Sequence, residues 1–216
     1  MNARQRILTA IRGSTGAQRP VAVIAAEAAA LLGRPEVARP GLAAPELREA
    51  FALKAAAVGT TIDHLDRMAE VPAAVRRYLD AQGLPAAVAL QPAAALAGLD
   101  WGGIATHPDI APDEAVGVGL AEWGIAEGGS LVIHSGPDNP VLLAFLTLHH
   151  VLVLREDRLL PHLEDYALAV QDNPQPRNAI LITGPSGTTD IEGSYVRGAH
   201  GPGFLHVIMV RDSSDL

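Results

Sequence analysis

The chain has 216 residues, 49% of them hydrophobic and 4% aromatic, a size and composition that fit one globular domain able to bury most of its apolar surface. Its 24 acids against 16 Lys and Arg give a formal charge of −8, which argues against a general nucleic-acid binder, because phosphate neutralisation needs a basic face. With no cysteine it offers neither a disulfide nor a thiolate for zinc or an iron–sulfur cluster, and no apolar run approaches the roughly 20 residues of a membrane-spanning helix.

The first 26 residues hold Arg4, Arg6, Arg12 and Arg19 and no acid, a bias shared with targeting peptides, but the apolar stripe of Ile7, Leu8 and Ile11 reads as a surface helix from Ala3. The prolines and glycines between Gly33 and Pro45 predict a loop. The expected organisation is therefore a helical arm and linker over residues 1–44, then an α/β domain over 45–216. Helical spacing follows at Leu47, Phe51 and Ala55, and again at Val71, Val75, Tyr78 and Leu79, with Pro72 suited to a first turn and Gly83 to a C-terminal cap. Ala86 to Leu90 reads as a buried strand.

Gly128-Gly129, between Ile125-Ala126-Glu127 and Leu131-Val132-Ile133, has the form of a tight hairpin turn that holds Glu127 at its tip. Such a carboxylate is either simply solvated or a general base, nucleophile or acceptor beside a ligand. After the Leu131 strand come Ser135-Gly136-Pro137, a possible anion-binding helix start, and Asn139-Pro140, read as cap and first turn of a helix containing Val141, Leu142, Phe145 and Leu146.

Val151 to Leu154 predicts another strand, Pro161 onward a helix with Leu163, Tyr166, Ala167 and Val170, and Ala179 to Ile182 and Leu205 to Val210 two more strands. This alternation of apolar strands and helices implies an α/β fold with a mainly parallel sheet and helices on both faces. His149 and His150 open a strand and point to opposite faces, which is poor geometry for one metal ion.

The loop after Ile182 is the richest in chemistry. It would sit at the carboxyl end of a strand, with Gly184 and Gly187 admitting close backbone approach and Ser186, Thr188 and Thr189 adding hydroxyls. A helix beginning near Thr189 would add N–H groups for an anion, although Ser, Thr, Asp190 and Glu192 also suit simple capping. His200 lies among the glycines of Gly198-Ala199-His200-Gly201-Pro202-Gly203.

Four runs, Gly124 to Val132, Ser135 to Pro137, His149 to Val153, and Gly184 to Glu192 with Val196 to Pro202, resemble the LUD-domain family of lactate-utilisation proteins. Gly128 stands where threonine is common in that family. The resemblance implies a fold similar to ribose-phosphate isomerases and CoA transferases, and a cytoplasmic part in a system that oxidises L-lactate to pyruvate. It also implies iron–sulfur clusters on partner subunits and no cofactor in this chain. In this reading a small anionic ligand lies between the Glu127 turn and the Ser186 loop, with Glu127 as the acid/base candidate. Gly128, Gly129, Ser130, Ser135, Gly184, Ser186, Thr188, Thr189, Asp190, Glu192, His200 and Gly201 are the expected ligand-binding residues, and no metal ligand is expected. The alternatives are a stand-alone isomerase or transferase for a sugar phosphate or acyl-CoA, and a non-catalytic assembly or regulatory subunit.

Overall fold

The computed structural model describes residues 2–14, 19–33, 39–191 and 193–212. They fall into two units, Met1–Pro40 and Gly41–Leu216. The first contains α1 (Ala3–Ser14) and α2 (Val21–Leu32). At the start of α1 the Asn2 side chain accepts from the Gln5 N–H at 2.9 Å and the Gln5 side chain from the Asn2 N–H at 3.0 Å. Two N–H groups of the first turn thereby gain partners that the helix cannot supply.

In the second unit, β1 (Thr61–Arg67), β2 (Ala87–Leu90), β3 (Ala105–His107), β4 (Val116–Leu120), β7 (His149–Arg155) and β12 (Phe204–Asp212) form a parallel sheet in the order β1-β12-β7-β4-β2-β3. Strand alternation sends Val151, Val153, Ile208 and Val210 to one face, where they pack under Val71, Val75 and Leu79 of α4 (Val71–Gln82). Leu152, Leu154, Val207 and Met209 face the other way, toward Phe51 and Ala55 of α3 (Leu47–Ala57).

That second face also receives a sheet. The strands β5 (Trp123–Ile125), β6 (Ser130–His134), β8 (Leu159–Leu160) and β9 (Ala179–Ile182) pair in the order β8-β5-β6-β9 and bring Leu131 and Ile133 into the same core. The expected parallel sheet with helices is therefore present, but the Leu131 and Ala179 runs are antiparallel neighbours outside it. An apolar run of four residues reports burial and does not reveal which sheet will accept it.

Other expectations are corrected. The hairpin turn spans residues 126–129 rather than two glycines, with Ile125 opposite Ser130. The helix after Asn139 shrinks to α6 (Leu143–Leu146), because Asn139 pairs with Gly136 in a bridge instead of capping. No helix begins near Thr189: β10 (Gly187–Ile191) and β11 (Ser194–Arg197) form a hairpin. The strands β1 and β3 were not anticipated, since Asp63, His64 and Asp66 interrupt the first and the second has only three residues.

The connection from β2 leads through α5 (Ala94–Ala97) outward to β3, whereas β4 feeds the chain the other way toward β7. The crevice at the carboxyl ends of β2 and β4 is thus the topological switch point of the sheet, where open α/β folds receive ligands.

Candidate functional site

A cleft of about 430 Å³ opens at that switch point, within the size range of small-molecule sites. Gln91 follows β2 and Leu120 ends β4, while Glu122, His134, Ser135, Asp138 and Asn139 come from the strand ends and turns of the second sheet. Pro137, Pro174 and Pro176 supply rigid apolar walls. Gln91 is buried, and its side-chain carbonyl accepts from the Leu120 N–H at 2.7 Å, which leaves its amide nitrogen as the remaining donor. Asn139 is only 9% exposed, and its Nδ2 is buried without a hydrogen-bond partner among the described residues. A buried amide left in that state costs on the order of 1–3 kcal/mol, so this donor asks for an explanation.

On the floor opposite, His134 Nε2 lies 2.8 Å from the hydroxyl of Tyr166. Tyr166 belongs to α7 (Leu163–Val170). Burial, and then the charge of Glu122, raise its pKa above the ordinary tyrosine value, so it remains a phenol. Ser135, expected as a ligand residue, lines this cleft, with its hydroxyl accepting from the Asn178 N–H at 2.8 Å.

The remaining expected residues lie elsewhere. Glu127 turns toward the start of α7, where Oε1 accepts from the Leu163 N–H at 2.9 Å and Oε2 lies 2.7 Å from His162 Nδ1. Gly128 and Gly129 complete the turn, and Gly129, at φ +64, lies so close to α3 that a Cβ there would stand 2.2 Å from the Ala55 nitrogen. Ser130 is buried, its hydroxyl 2.7 Å from that of Thr183. Gly184, at φ +78, closes on Val58.

The loop after Ile182 leaves a strand of the second sheet and lies near the amino ends of the parallel strands, contrary to the expected carboxyl-end position. The Ser186 N–H donates to the Pro202 carbonyl at 2.8 Å and the Gly198 N–H to the Ser186 carbonyl at 2.9 Å, so both amides are consumed within the protein. Thr188, Thr189 and Asp190 are strand residues of β10, and Glu192 lies outside the described residues. His200 and Gly201 line a second cleft, of about 580 Å³, with Glu114, Phe145, Thr147 and Leu148 at the amino edge of β4 and β7. The five residues of β4 separate the two clefts, roughly 16 Å of extended chain, so Ser135 and His200 do not share one small ligand.

Two buried histidines of the parallel sheet are hydrogen-bonded to neighbouring hydroxyls. His149 Nδ1 lies 2.8 Å from the Tyr78 hydroxyl and His206 Nδ1 2.8 Å from that of Thr61. Burial lowers the pKa of both and drives that of Tyr78 up to about 12. Among the described residues no group of three or more His, Asp and Glu side chains is placed to hold a metal ion.

Residues 109–210 match the family described as LUD domain. The match covers just under half of the chain. It contains every wall of the switch-point cleft except Gln91 and Ala93, and the whole of the second sheet. Similar curated proteins include the uncharacterized protein YkgG of Escherichia coli (strain K12), 32% identical over 102 residues, which are 45% of this chain and 44% of that protein. The lactate utilization protein C of Oceanobacillus iheyensis is 26% identical over 106 residues, 47% of this chain and 46% of that one. The matches thus span about half the length of these relatives. A solved structure of a DUF162 family protein from Deinococcus radiodurans aligns with 76% of this chain and 96% of its own at a TM-score of 0.59 and 22% identity, a likeness of fold.

The residues that sequence reasoning missed are Gln91, Glu122, His134 and Tyr166, together with the partner of Glu127, His162. The switch-point rule was the signal for the first two, but applying it needs the strand order. Asn139 carries a signal in the sequence, but an Asn-Pro pair suits helix capping equally well.

Proposed function

We propose that this chain is the LUD-domain component of a lactate-utilisation system and binds a small hydroxy-acid anion in the switch-point cleft. The observation that carries this reading is the buried, unpartnered Asn139 amide in a cleft whose polar groups suit such a molecule. The amide nitrogens of Asn139 and Gln91 are donors for a carboxylate, and Glu122 is an acceptor for the neighbouring hydroxyl. The shared name of several relatives, lactate utilization protein C, supports the choice of pathway. Among the described residues lining the cleft there is no Lys or Arg, while Glu122 and Asp138 oppose a doubly charged phosphate, which disfavours a sugar phosphate or CoA.

Iron–sulfur clusters are held by cysteine thiolates, and this chain has none. The electron-carrying groups of the system belong in this reading to partner subunits in the cytoplasm, and the chain contributes binding and orientation of the acid. Calorimetric titration with L-lactate and pyruvate tests it. Saturable binding that is lost in Asn139→Leu supports the cleft, and heat without saturation in the parent protein refutes it.

The assembly reading keeps one specific support. Leu142, Phe145 and Leu148 are 54%, 45% and 49% exposed around α6, more apolar surface than one short element needs to show. Charged replacements there would abolish capture of the partner subunits while leaving lactate binding intact.

A further inference from the structure

We propose that Tyr166 is a positioning residue that fixes the tautomer of His134, making His134 Nδ1 an N–H donor of the switch-point cleft. His134 is the last residue of β6 and lines the cleft, and among the described residues Nδ1 has no hydrogen-bond partner. Its other nitrogen, Nε2, stands 2.8 Å from the Tyr166 hydroxyl, with the two ring centroids 5.9 Å apart and their planes inclined by 56°.

This contact can be made with either group donating, and chemistry selects one direction. A phenol is a good donor and a poor acceptor, whereas the unprotonated nitrogen of a neutral imidazole is a strong acceptor. Tyr166 also keeps its proton at neutral pH, because burial and Glu122 both disfavour the phenolate. The Tyr166 O–H therefore donates to Nε2, and the neutral ring must carry its single proton on Nδ1. An unconstrained histidine favours the opposite tautomer, which would turn a lone pair toward an incoming carboxylate.

The element that carries Tyr166 is held for this task. Its first turn is fastened at three points: the Leu163 N–H to Glu127 Oε1, His162 Nδ1 to Glu127 Oε2, and the His162 N–H to the Asp165 carboxylate at 3.1 Å. Tyr166 lies one helical turn beyond His162, on the same side of α7, so the fastening of the helix start sets the height of its hydroxyl over His134.

The tautomer half of the proposal stands on the structure alone, and the donor half rests on the hydroxy-acid reading of the cleft. A long-range proton–nitrogen correlation spectrum of the full ¹⁵N-labelled chain at neutral pH tests the first. The expected result is His134 protonated on Nδ1 in the parent and on Nε2 in Tyr166→Phe. A proton on Nε2 in the parent, or a tautomer unchanged in Tyr166→Phe, overturns it. The second half is tested by titrating L-lactate into both proteins, with binding expected to weaken about tenfold in Tyr166→Phe. Equal affinities would overturn the donor role. Absence of lactate binding in the parent would overturn the hydroxy-acid reading and with it the donor half, and would leave the tautomer to be judged by its own spectrum.

Discussion

Glu127 and His162, 35 residues apart in sequence, meet at 2.7 Å at the start of α7, and the second oxygen of Glu127 receives the Leu163 N–H. The carboxylate that the hairpin turn holds out thus has both oxygens engaged. It satisfies a helix-start donor from outside the helix, as an N-cap residue does from within, and it favours the positive end of the helix dipole.

Glu127→Ala should consequently cost stability before it costs chemistry. Loss of the capping acceptor and of the His162 partner predicts about 1.5 kcal/mol, a fall in melting temperature of roughly 3–6 °C for a domain of this size. Glu127→Gln retains one oxygen for Leu163 and should lose about half as much. Calorimetric melting of the three proteins checks the order, and Gln melting lower than Ala would contradict it.

Gly129 is the position least open to change. Alanine there would adopt a backbone conformation unfavourable to any residue with a Cβ and would drive that carbon into the backbone of Ala55. Strain and overpacking together predict a loss of about 3 kcal/mol or more for Gly129→Ala, against little change for Gly136→Ala, where a Cβ meets open space. Urea unfolding of both variants distinguishes them.

Acid stability should follow the buried histidines. Complete burial of His150 lowers its pKa from 6.5 to about 4, and burial lowers His149 and His206 as well. Below pH 6.5 the unfolded chain takes up protons that the folded chain refuses, so stability falls as the pH drops from about 6.5 toward 4 and is fully present above that window. His150 accounts for at most about 3 kcal/mol of this loss. Melting temperatures across the window should decline less steeply in His150→Leu than in the parent, and parallel slopes would contradict the assignment.

Asn139 is expected to trade stability for function. Replacing a buried, unpartnered amide by an apolar side chain of similar size removes its desolvation cost, so Asn139→Leu should melt no lower than the parent and bind L-lactate at least tenfold more weakly. Scanning calorimetry and a lactate titration on the same preparation give both numbers. A variant that melts well below the parent would mean that Asn139 has a structural partner after all.

Local pattern made the centre of the fold legible and left its edges obscure. Val151 to Leu154 and Leu205 to Val210 are apolar on both faces because helices and a second sheet cover them, and that burial is written directly in the sequence. The strand Thr61–Arg67 lies at the sheet edge, half exposed and carrying Asp63, His64 and Asp66, so its composition resembles that of a loop. The site was less legible still. Ser135 could be placed near a strand end, but the switch point exists only once β4 is known to lie beside β2, and the Tyr166–His134 contact joins segments 32 residues apart. The glycine-rich loop after Ile182 misled because glycine, serine and threonine serve a tight hairpin as well as they serve an anion.

The most direct test of the account is a map of amide chemical-shift changes as L-lactate is added to the ¹⁵N-labelled chain. The account predicts saturable shifts clustered at Gln91, Leu120, Glu122 and His134 to Asn139, with the Ser186 to Gly201 segment unmoved. Shifts confined to Ser186 to Gly201, or none at lactate concentrations in the millimolar range, would contradict it.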